Sequence, residues 1–209
     1  MSVTIYNPIP RDFYLRQDTV LIAKQLLGKV LFSSIRGNIT AGMITETEAY
    51  TGINDKASHA FNGRRTARTE IMYRTGGVAY VYLCYGIHSL FNVITSLEDI
   101  PDAVLIRGIA PLQGEGIMKS RLAKNTLLPK NGVGPGNVSR LLGILFSHSG
   151  IDLCESPLAE NNDFIWLQDE GIDVKEKDII SGPRIGVSYA AEDASLPYRF
   201  VWKNGVGGR

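Results

Sequence analysis

The chain has 209 residues and a formal net charge of only +1, which suits one domain with a sizeable core. A nearly neutral charge excludes a strongly basic nucleic-acid binder, so any contact with nucleic acid must depend on a local basic patch. No signal peptide opens the chain and no apolar run approaches the roughly 20 residues of a membrane span. We therefore expect one cytoplasmic domain over residues 1–209.

The sequence predicts a helix and then two strands at its start. Asp18 is a suitable N-cap for a helix over residues 19–27. β-branched and aromatic residues predict a strand over 29–34, and a turn at 36–38 leads into a second strand over 39–50.

Alternation along the second strand places Glu46, Glu48 and Tyr50 on one face. These residues alone favour a simple interpretation, a solvated edge strand with two surface glutamates. The position of Tyr50 beside Glu48, followed by a long loop instead of a hairpin return, favours a functional site.

Residues 51–77 form that loop, and long loops without structure of their own are usually functional or disordered. Its arginines, Arg64, Arg65, Arg68 and Arg74, make it the most basic window of the chain. Two interpretations are open: solvated charges, or contacts to phosphate oxygens, which suit the arginine fork. His59 has no second ligand at metal spacing, so we expect no metal site. Cys84 and Cys154 are expected to be reduced core residues.

Residues 78–95 predict a β-hairpin with a tight turn at Tyr85 and Gly86. An aromatic ring at a protruding tip is costly to solvate. One purpose of such a ring is to wedge between stacked bases. The alternative is a tip that folds back on the core.

Two arginines interrupt apolar segments later in the chain. Residues 103–109 predict a buried central strand that contains Arg107, and Arg184 lies in a predicted strand over 182–189. Because arginine is almost never fully buried without a partner, each needs a carboxylate or a phosphate. The remaining predicted elements are a helix over 115–123, a glycine-rich turn and helix start at 132–142, strands over 164–167 and 198–202, and a frayed end over 204–209. The glycine-rich turn suits either an anion site or a plain helix cap.

An ordered set of segments resembles the alkyladenine (3-methyladenine) DNA glycosylase family: ETEAY, the following histidine and arginine-rich loop, YVYLCYG, FNV, LIRGIAPLQG, GPGNVSRLLGI, RIGV and the late RF. The resemblance covers most of the chain with family-like spacing. It implies a mixed α/β (α+β) single domain with a curved antiparallel sheet, flanking helices and a protruding DNA-intercalating β-hairpin. It also implies that no metal and no organic cofactor is used.

The resemblance assigns roles by position. Glu48 becomes the general base, and Arg107 and the backbone at Ile185 hold the attacking water. Tyr85 becomes the wedge that replaces the flipped base. The base-binding pocket comprises Tyr50, His59, Tyr82, Asn92 and Ile185, with Asn92 discriminating against the exocyclic amine of guanine. The DNA-binding residues are Arg64, Arg65, Arg68, Ile87 and His88.

The chain departs from the family pattern near the hairpin tip and in the loop. Ile87 and His88 replace a Met-Tyr pair, Gly136 stands where serine is frequent, and Ala67 stands where proline is frequent. These departures concern the grip on DNA and the range of lesions.

The implied activity is that of a monofunctional glycosylase acting as a monomer on double-stranded DNA with a damaged purine. Alkylation leaves 3-methyladenine or 7-methylguanine cationic, and a cation stacked on Tyr50 or Tyr82 gains about 0.5–2 kcal/mol per ring. Arg107 is expected to keep the pKa of Glu48 low. No lysine stands at the nucleophile position, so we expect an abasic product and no strand nick. Two rival functions are a non-catalytic nucleic-acid-binding module and a nucleoside hydrolase.

Overall fold

The structure is a computed structural model that describes residues 6–155 and 163–205. Within these residues, eight antiparallel strands form one curled sheet flanked by short helices, so the predicted α+β class is confirmed. The strands are β1 (Val30–Ile35), β2 (Asn38–Thr51), β3 (Ala79–Cys84), β4 (His88–Thr95), β5 (Asp102–Gln113), β6 (Phe164–Gln168), β7 (Ile179–Gly182) and β8 (Arg199–Trp202). The α-helices are α1 (Arg11–Tyr14), α2 (Thr19–Gln25), α3 (Glu115–Leu122) and α4 (Pro135–Leu142).

Strand β2 is the centre of the sheet, in which the strand order is β3-β4-β5-β2-β1-β6. It pairs with β5 along one side; along the other, its first half pairs with β1 and residues 46–48 pair with β8. Glu48 therefore lies between Leu105 and Arg199 on the neighbouring strands. The interpretation of Glu46 and Glu48 as surface residues of an edge strand is wrong, because both are buried in a strand paired on both sides.

A bulge interrupts the pairing of β2 with β5 next to these glutamates. The register shifts leave Thr45 on one strand and Arg107 on the other without a directly opposite residue. Gly108 permits this close approach, since a Cβ there would lie 2.9 Å from the Thr45 hydroxyl oxygen. Bulges re-aim side chains. Here Ile44 packs into the apolar core whereas Glu46 bonds to Arg107 on the opposite face.

The two faces of the sheet are covered by different material. On one face, alternate residues of the strands form the main core with α2 and α4: Ala49, Val81, Phe91, Val93, Val104 and Ile106 meet Ile22, Leu26, Val138, Leu141 and Leu142. The helix predicted over residues 19–27 is confirmed, and Asp18 accepts a hydrogen bond from the Leu21 N–H as its N-cap.

The long loop after β2 covers part of the other face. Short 3-10 helices at Gly52–Asn54, Phe61–Gly63 and Glu70–Tyr73 give it structure of its own. Its apolar residues Ala60 and Met72 pack with Tyr80 and Ile94 of the sheet. The loop is thereby fixed over β3 and β4, where it forms one wall of a cavity.

The strand predicted over residues 182–189 is wrong. Strand β7 ends at Gly182, and a kinked 3-10 helix occupies Ser188–Ser195. Gly186 has a φ of 79°, and the Arg184 side chain turns inward to bind a carboxylate, so the segment cannot continue a ladder. The strands predicted over 164–167 and 198–202 correspond to β6 and β8. Residues 206–209 of the predicted frayed end lie outside the described part of the chain.

The glycine-rich turn leads into α4 as predicted. Gly134 has a φ of 94° and precedes Pro135, the first residue of the helix. In the described part of the chain, no helix combines the length and apolar character needed to cross a membrane.

Candidate active site

A cavity of about 250 Å³ lies on the sheet face opposite the main core. Its lining includes six of the residues singled out in the sequence: Tyr50, His59, Tyr82, Asn92, Arg107 and Ile185. They come from four strands and two loops, so only the folded chain brings them together.

Glu48 lies directly behind this lining, with its side chain fully buried. Its carboxylate accepts from the Tyr50 hydroxyl at 2.8 Å and from the Ile185 N–H at 2.7 Å. The Arg107 guanidinium lies 3.3 Å from the same carboxylate, so Glu48 is a carboxylate partner of the kind that Arg107 was predicted to need. Each carboxylate oxygen is therefore held by a donor whose residue also lines the cavity.

Burial, and not the charge of Arg107, decides the direction in which the pKa of Glu48 is shifted. Removal from water raises the pKa of this carboxyl above its ordinary value of 4.5, although Arg107, the Ile185 N–H and the Tyr50 hydroxyl each act to lower it. The expectation of a low pKa is wrong, because it counted the cation and left out the desolvation.

Glu46 is a second buried carboxylate that the sequence analysis did not assign to the site. Its Oε1 accepts from Arg107 Nε and from Arg199 Nη1, both at 3.1 Å. Arg107 is thus shared between Glu46 and Glu48. Two carboxylates with two arginines leave the buried network formally neutral.

His59 is neutral in the cavity wall. Its Nε2 accepts from Arg68 Nη2 at 3.4 Å, so its Nδ1 carries the proton and donates to the Tyr80 hydroxyl at 2.9 Å. Burial and the cations Arg68 and Arg64 lower the pKa of His59 to about 4. The ring meets Tyr82 edge-on at 4.6 Å between centroids.

Arg184 has the partner that its apolar surroundings required. Its Nη2 donates to Asp55 Oδ1 at 2.8 Å and its Nη1 donates to the carbonyl of Ala49 at 2.9 Å. Its guanidinium lies 4.8 Å from the centre of the Tyr50 ring. This ion pair thus joins the loop after β2 to the segment that carries Ile185.

The hairpin of β3 and β4 ends in an exposed tip. Tyr85 is 91% exposed, with a φ of 52°, and Gly86 follows with a φ of 73°. The alternative of a tip folded back on the core is therefore wrong. Tyr85 also lies at the rim of the cavity, and the exposed His88 packs beside Gly136, where a Cβ would lie 3.5 Å from its ring.

The arginines of the loop differ in their partners. Arg65 forms ion pairs with Glu70 and Asp99, and Arg68 lies 5.2 Å from the centre of the Tyr82 ring. Arg74 donates to the Gly150 carbonyl. Arg64 is exposed, and among the described residues its side chain has no ion-pair partner.

Residues 12–205 match the model of the methylpurine-DNA glycosylase family. The chain belongs to this family. A Chlamydia felis protein is 44% identical over 195 residues, which cover 92% of this chain and 95% of that protein. A Clostridium perfringens protein is 42% identical over 201 residues (93% and 95%), and one from Methanocella arvoryzae is 42% identical over 196 residues (94% and 92%). All three carry the provisional name 3-methyladenine DNA glycosylase.

Membership of the methylpurine-DNA glycosylase family makes the protein a DNA glycosylase, with DNA as its partner. The resemblance read from the sequence is thus confirmed.

The sequence analysis missed several residues of this glycosylase cavity. Tyr80 shares a face with Tyr82, a signal that was visible, and it lines the cavity together with Met72 of the loop. Tyr189 also lines it and donates to the Ala57 carbonyl at 3.2 Å. Tyr189 lies in a segment predicted as a strand, so the sequence pattern did not indicate that its side chain lines the cavity.

Proposed function

We propose that the protein is a monofunctional DNA glycosylase of base-excision repair that removes alkylated purines from duplex DNA. It flips the damaged nucleotide into the cavity and hydrolyses its N-glycosidic bond with a water activated by Glu48, leaving an abasic site. Cationic 3-methyladenine and 7-methylguanine are the primary substrates, and neutral hypoxanthine and ethenoadenine are secondary candidates. The observation that carries the proposal is a buried Glu48 carboxylate behind an aromatic cavity that opens beside the exposed Tyr85.

The buried carboxylate suits hydrolysis through a cationic sugar. As the bond from the purine nitrogen to the anomeric carbon breaks, the sugar gains positive charge, which an ionised Glu48 stabilises. Water then forms its bond to the anomeric carbon and passes a proton to Glu48. The raised pKa of Glu48 makes it a better base than an exposed carboxylate, since a general base works best when its pKa approaches the operating pH.

Arg107 and the backbone at Ile185 complete the place for that water. Both residues contact Glu48 from the cavity side, so a water between them is within reach of the carboxylate. Because Arg107 also bonds to Glu46, its guanidinium is held still while charge develops on the sugar.

The cavity walls suit a planar base that carries positive charge. Tyr50 and Tyr82 offer ring faces, and a stacked cation gains about 0.5–2 kcal/mol on each. His59, with a pKa of about 4, adds no repelling charge at neutral pH. Asn92 presents its amide to the cavity, with Nδ2 donating to the carbonyls of Tyr80 and Leu90.

The exposed hairpin tip suits the extrusion step. A base inside a duplex is inaccessible to these groups, and unstacking it costs a few kcal/mol. Tyr85 inserted into the vacated space offsets part of that cost. Ile87, 73% exposed, and His88 continue the same tip toward α4.

The outcome is hydrolysis without strand cleavage, because no lysine lies in the cavity lining as far as the chain is described. A Schiff-base mechanism needs an amine next to the anomeric carbon. Borohydride treatment during turnover is therefore expected to trap no covalent adduct with DNA, and a trapped adduct would contradict the monofunctional assignment.

The deciding experiment is a single-turnover assay on a duplex with one 3-methyladenine or 7-methylguanine. We expect release of the free base and an alkali-labile abasic site. Binding without release would favour a non-catalytic nucleic-acid-binding module. Equal or faster hydrolysis of the methylated nucleoside alone would favour a nucleoside hydrolase, which needs neither Tyr85 nor the basic loop. The same assay on hypoxanthine and ethenoadenine duplexes defines the lesion range.

A further inference from the structure

Arg184 is bound on several sides by buried and half-buried partners. Besides Asp55 and Ala49, it donates to the Asp193 carbonyl at 3.2 Å, and its guanidinium lies 5.4 Å from the Tyr198 ring. Arg184 is 5% exposed and Asp55 is 2% exposed. Asp55 in turn accepts from the N–H groups of Thr51 and Ala57.

Stability alone is a poor reason for such a pair. Two charges lose their hydration on burial, and apolar side chains of similar volume are often as stabilising or more so. In addition, the Arg184 Nε–H is buried with no partner among the described residues, which adds a further cost. What the pair does achieve is geometric, because Arg184 is joined to two of the three residues that donate to Glu48, namely Ile185 and Tyr50, the third being Arg107.

Arg184 acts on Ile185 and on Tyr50 in different ways. Arg184 immediately precedes Ile185, so its side-chain hydrogen bonds to Ala49, Asp55 and Asp193 fix the direction in which the Ile185 N–H points at the Glu48 carboxylate. Its guanidinium also packs on the Tyr50 ring, whose hydroxyl donates to the other oxygen of Glu48. A shift of Arg184 would therefore misplace both hydrogen bonds together.

We propose that the Asp55–Arg184 pair is a positioning device that holds the Ile185 N–H and the Tyr50 ring in register with Glu48. The inference rests on the proposed role of Glu48 as general base. Both bonds favour the ionised carboxylate, so their loss raises the pKa of Glu48 further and the ionised base is lost at a higher pH.

Several charged or titratable groups face Glu48 from the surrounding elements. They are Glu46 and Tyr50 on its own strand, Arg107 on β5, Arg199 on β8 by way of Glu46, and Arg184 and Tyr189 from the segment after β7. Arg184 is a cation, so its charge also favours the ionised form of Glu48. The test must separate this charge from the geometry.

Arg184→Lys makes that separation, because lysine keeps the charge but lacks the planar fork that binds Asp55 and Ala49 at once. We measure single-turnover excision of 7-methylguanine from duplex DNA against pH. The acidic limb of the profile is expected to move up by on the order of one pH unit. The plateau rate is expected to fall roughly tenfold while the affinity for damaged DNA changes less than about threefold. An acidic limb in the wild-type position would overturn the inference, since the charge alone would then suffice.

Asp55→Asn is the second variant, isosteric with the native residue and lacking its charge. If the two residues act as a unit, the double variant shifts the limb no further than either single variant. Additive shifts would mean that they act separately and would contradict the proposal. Circular dichroism and thermal melting confirm that each variant is folded at the assay temperature.

Asp152→Asn is the matched control, because it breaks the ion pair with Arg11, and neither residue lines the cavity. It is expected to lower the melting temperature and leave the acidic limb unchanged. An equal shift of the limb in this control would show a general effect of lost stability and would overturn the inference. The outcome for Glu48→Gln keeps the two proposals apart: full activity there rejects the general base, whereas a normal limb in Arg184→Lys with an inactive Glu48→Gln rejects only the positioning role.

Discussion

The two faces of the central sheet are built from the same strands and have opposite chemistry. Toward α2 and α4, the strands present aliphatic and aromatic side chains that are fully buried, such as Ala49 and Ile106. Toward the cavity, the next residues along those strands are Glu48 and Arg107, also buried but charged. The side chains are thus buried to a similar degree on the two faces, but burial is favourable for the apolar side chains and unfavourable for the charged ones.

On the helix-covered face, removal from water stabilises the fold by about 25 cal/mol per Å² of apolar surface. On the cavity face, the same removal from water opposes charge and raises the pKa of Glu48. The comparison indicates that the first face supplies the stability with which the second face holds a desolvated carboxylate. Five experiments test whether the two faces act separately.

The largest expected effect is on catalysis at the cavity face. Glu48→Gln keeps the shape of the side chain but cannot accept a proton, so excision is expected to slow by roughly 10²–10⁴-fold. Single-turnover assays measure the rate, and DNA binding, measured separately, is expected to be preserved. Undiminished turnover would remove Glu48 from the role of general base.

The counterpart on the other face is a change in stability without a change in chemistry. Leu26→Ala empties a fully buried position against the sheet and is expected to cost about 2–5 kcal/mol of unfolding free energy. Denaturant unfolding measures this loss. At temperatures where the variant is folded, the excision rate is expected to stay close to that of the native protein. A large loss of rate in the folded variant would mean that the two faces are not separable.

The hairpin tip extends the comparison to the rim of the cavity. Tyr85→Ala removes a ring whose stacking on a base is worth about 1–3 kcal/mol, so capture of a damaged duplex is expected to weaken roughly 5- to 150-fold. Binding to undamaged duplex is expected to weaken less. Leu83→Ala is the matched control, since Leu83 is also exposed on the hairpin but lies in the ladder, paired with Ser89, and not in the turn. Equal losses on damaged and undamaged DNA would argue against a wedge.

The pH profile tests the desolvation of the cavity face directly. In the proposed mechanism the base is ionised Glu48, so the rate is expected to fall as the pH falls through its raised pKa, with a midpoint above 4.5. No inflection is expected near 6.5, because His59 has a pKa of about 4 and is already neutral there. A midpoint below 4.5 would mean that Arg107 outweighs burial after all.

The smallest expected effect separates two neighbouring arginines of the loop. Arg64→Ala is expected to reduce the log–log slope of DNA binding against salt by about 0.9, the value of one phosphate contact. Arg65→Ala is expected to change it less, because Glu70 and Asp99 already hold that guanidinium. Equal changes in slope would show that DNA draws Arg65 out of its ion pairs.

The sequence was sufficient for the features that depend on local pattern. The sequence predicted the hairpin over 78–95 with its tight turn at Tyr85 and Gly86, and both turn residues are found with positive φ. The need of Arg107 and Arg184 for partners also followed from their apolar neighbours. The ordered segments were specific enough to identify the family.

The identity of those partners did not follow from local pattern. Asp55 and Arg184 are separated by 129 residues, and nothing in either segment points to the other. The segment over 182–189 was predicted as a strand, whereas Arg184 turns inward there and a 3-10 helix begins at Ser188.

The sequence was thus enough for the family, for most of the strands and for the aromatic turn of the hairpin, because each follows from segment patterns along the chain; the exposure of that turn is a finding of the structure. Tertiary structure alone decided that Glu48 is fully buried and that its pKa is raised. The degree of desolvation depends on every element packed around the carboxylate, here two neighbouring strands, a loop and the segment that carries Ile185.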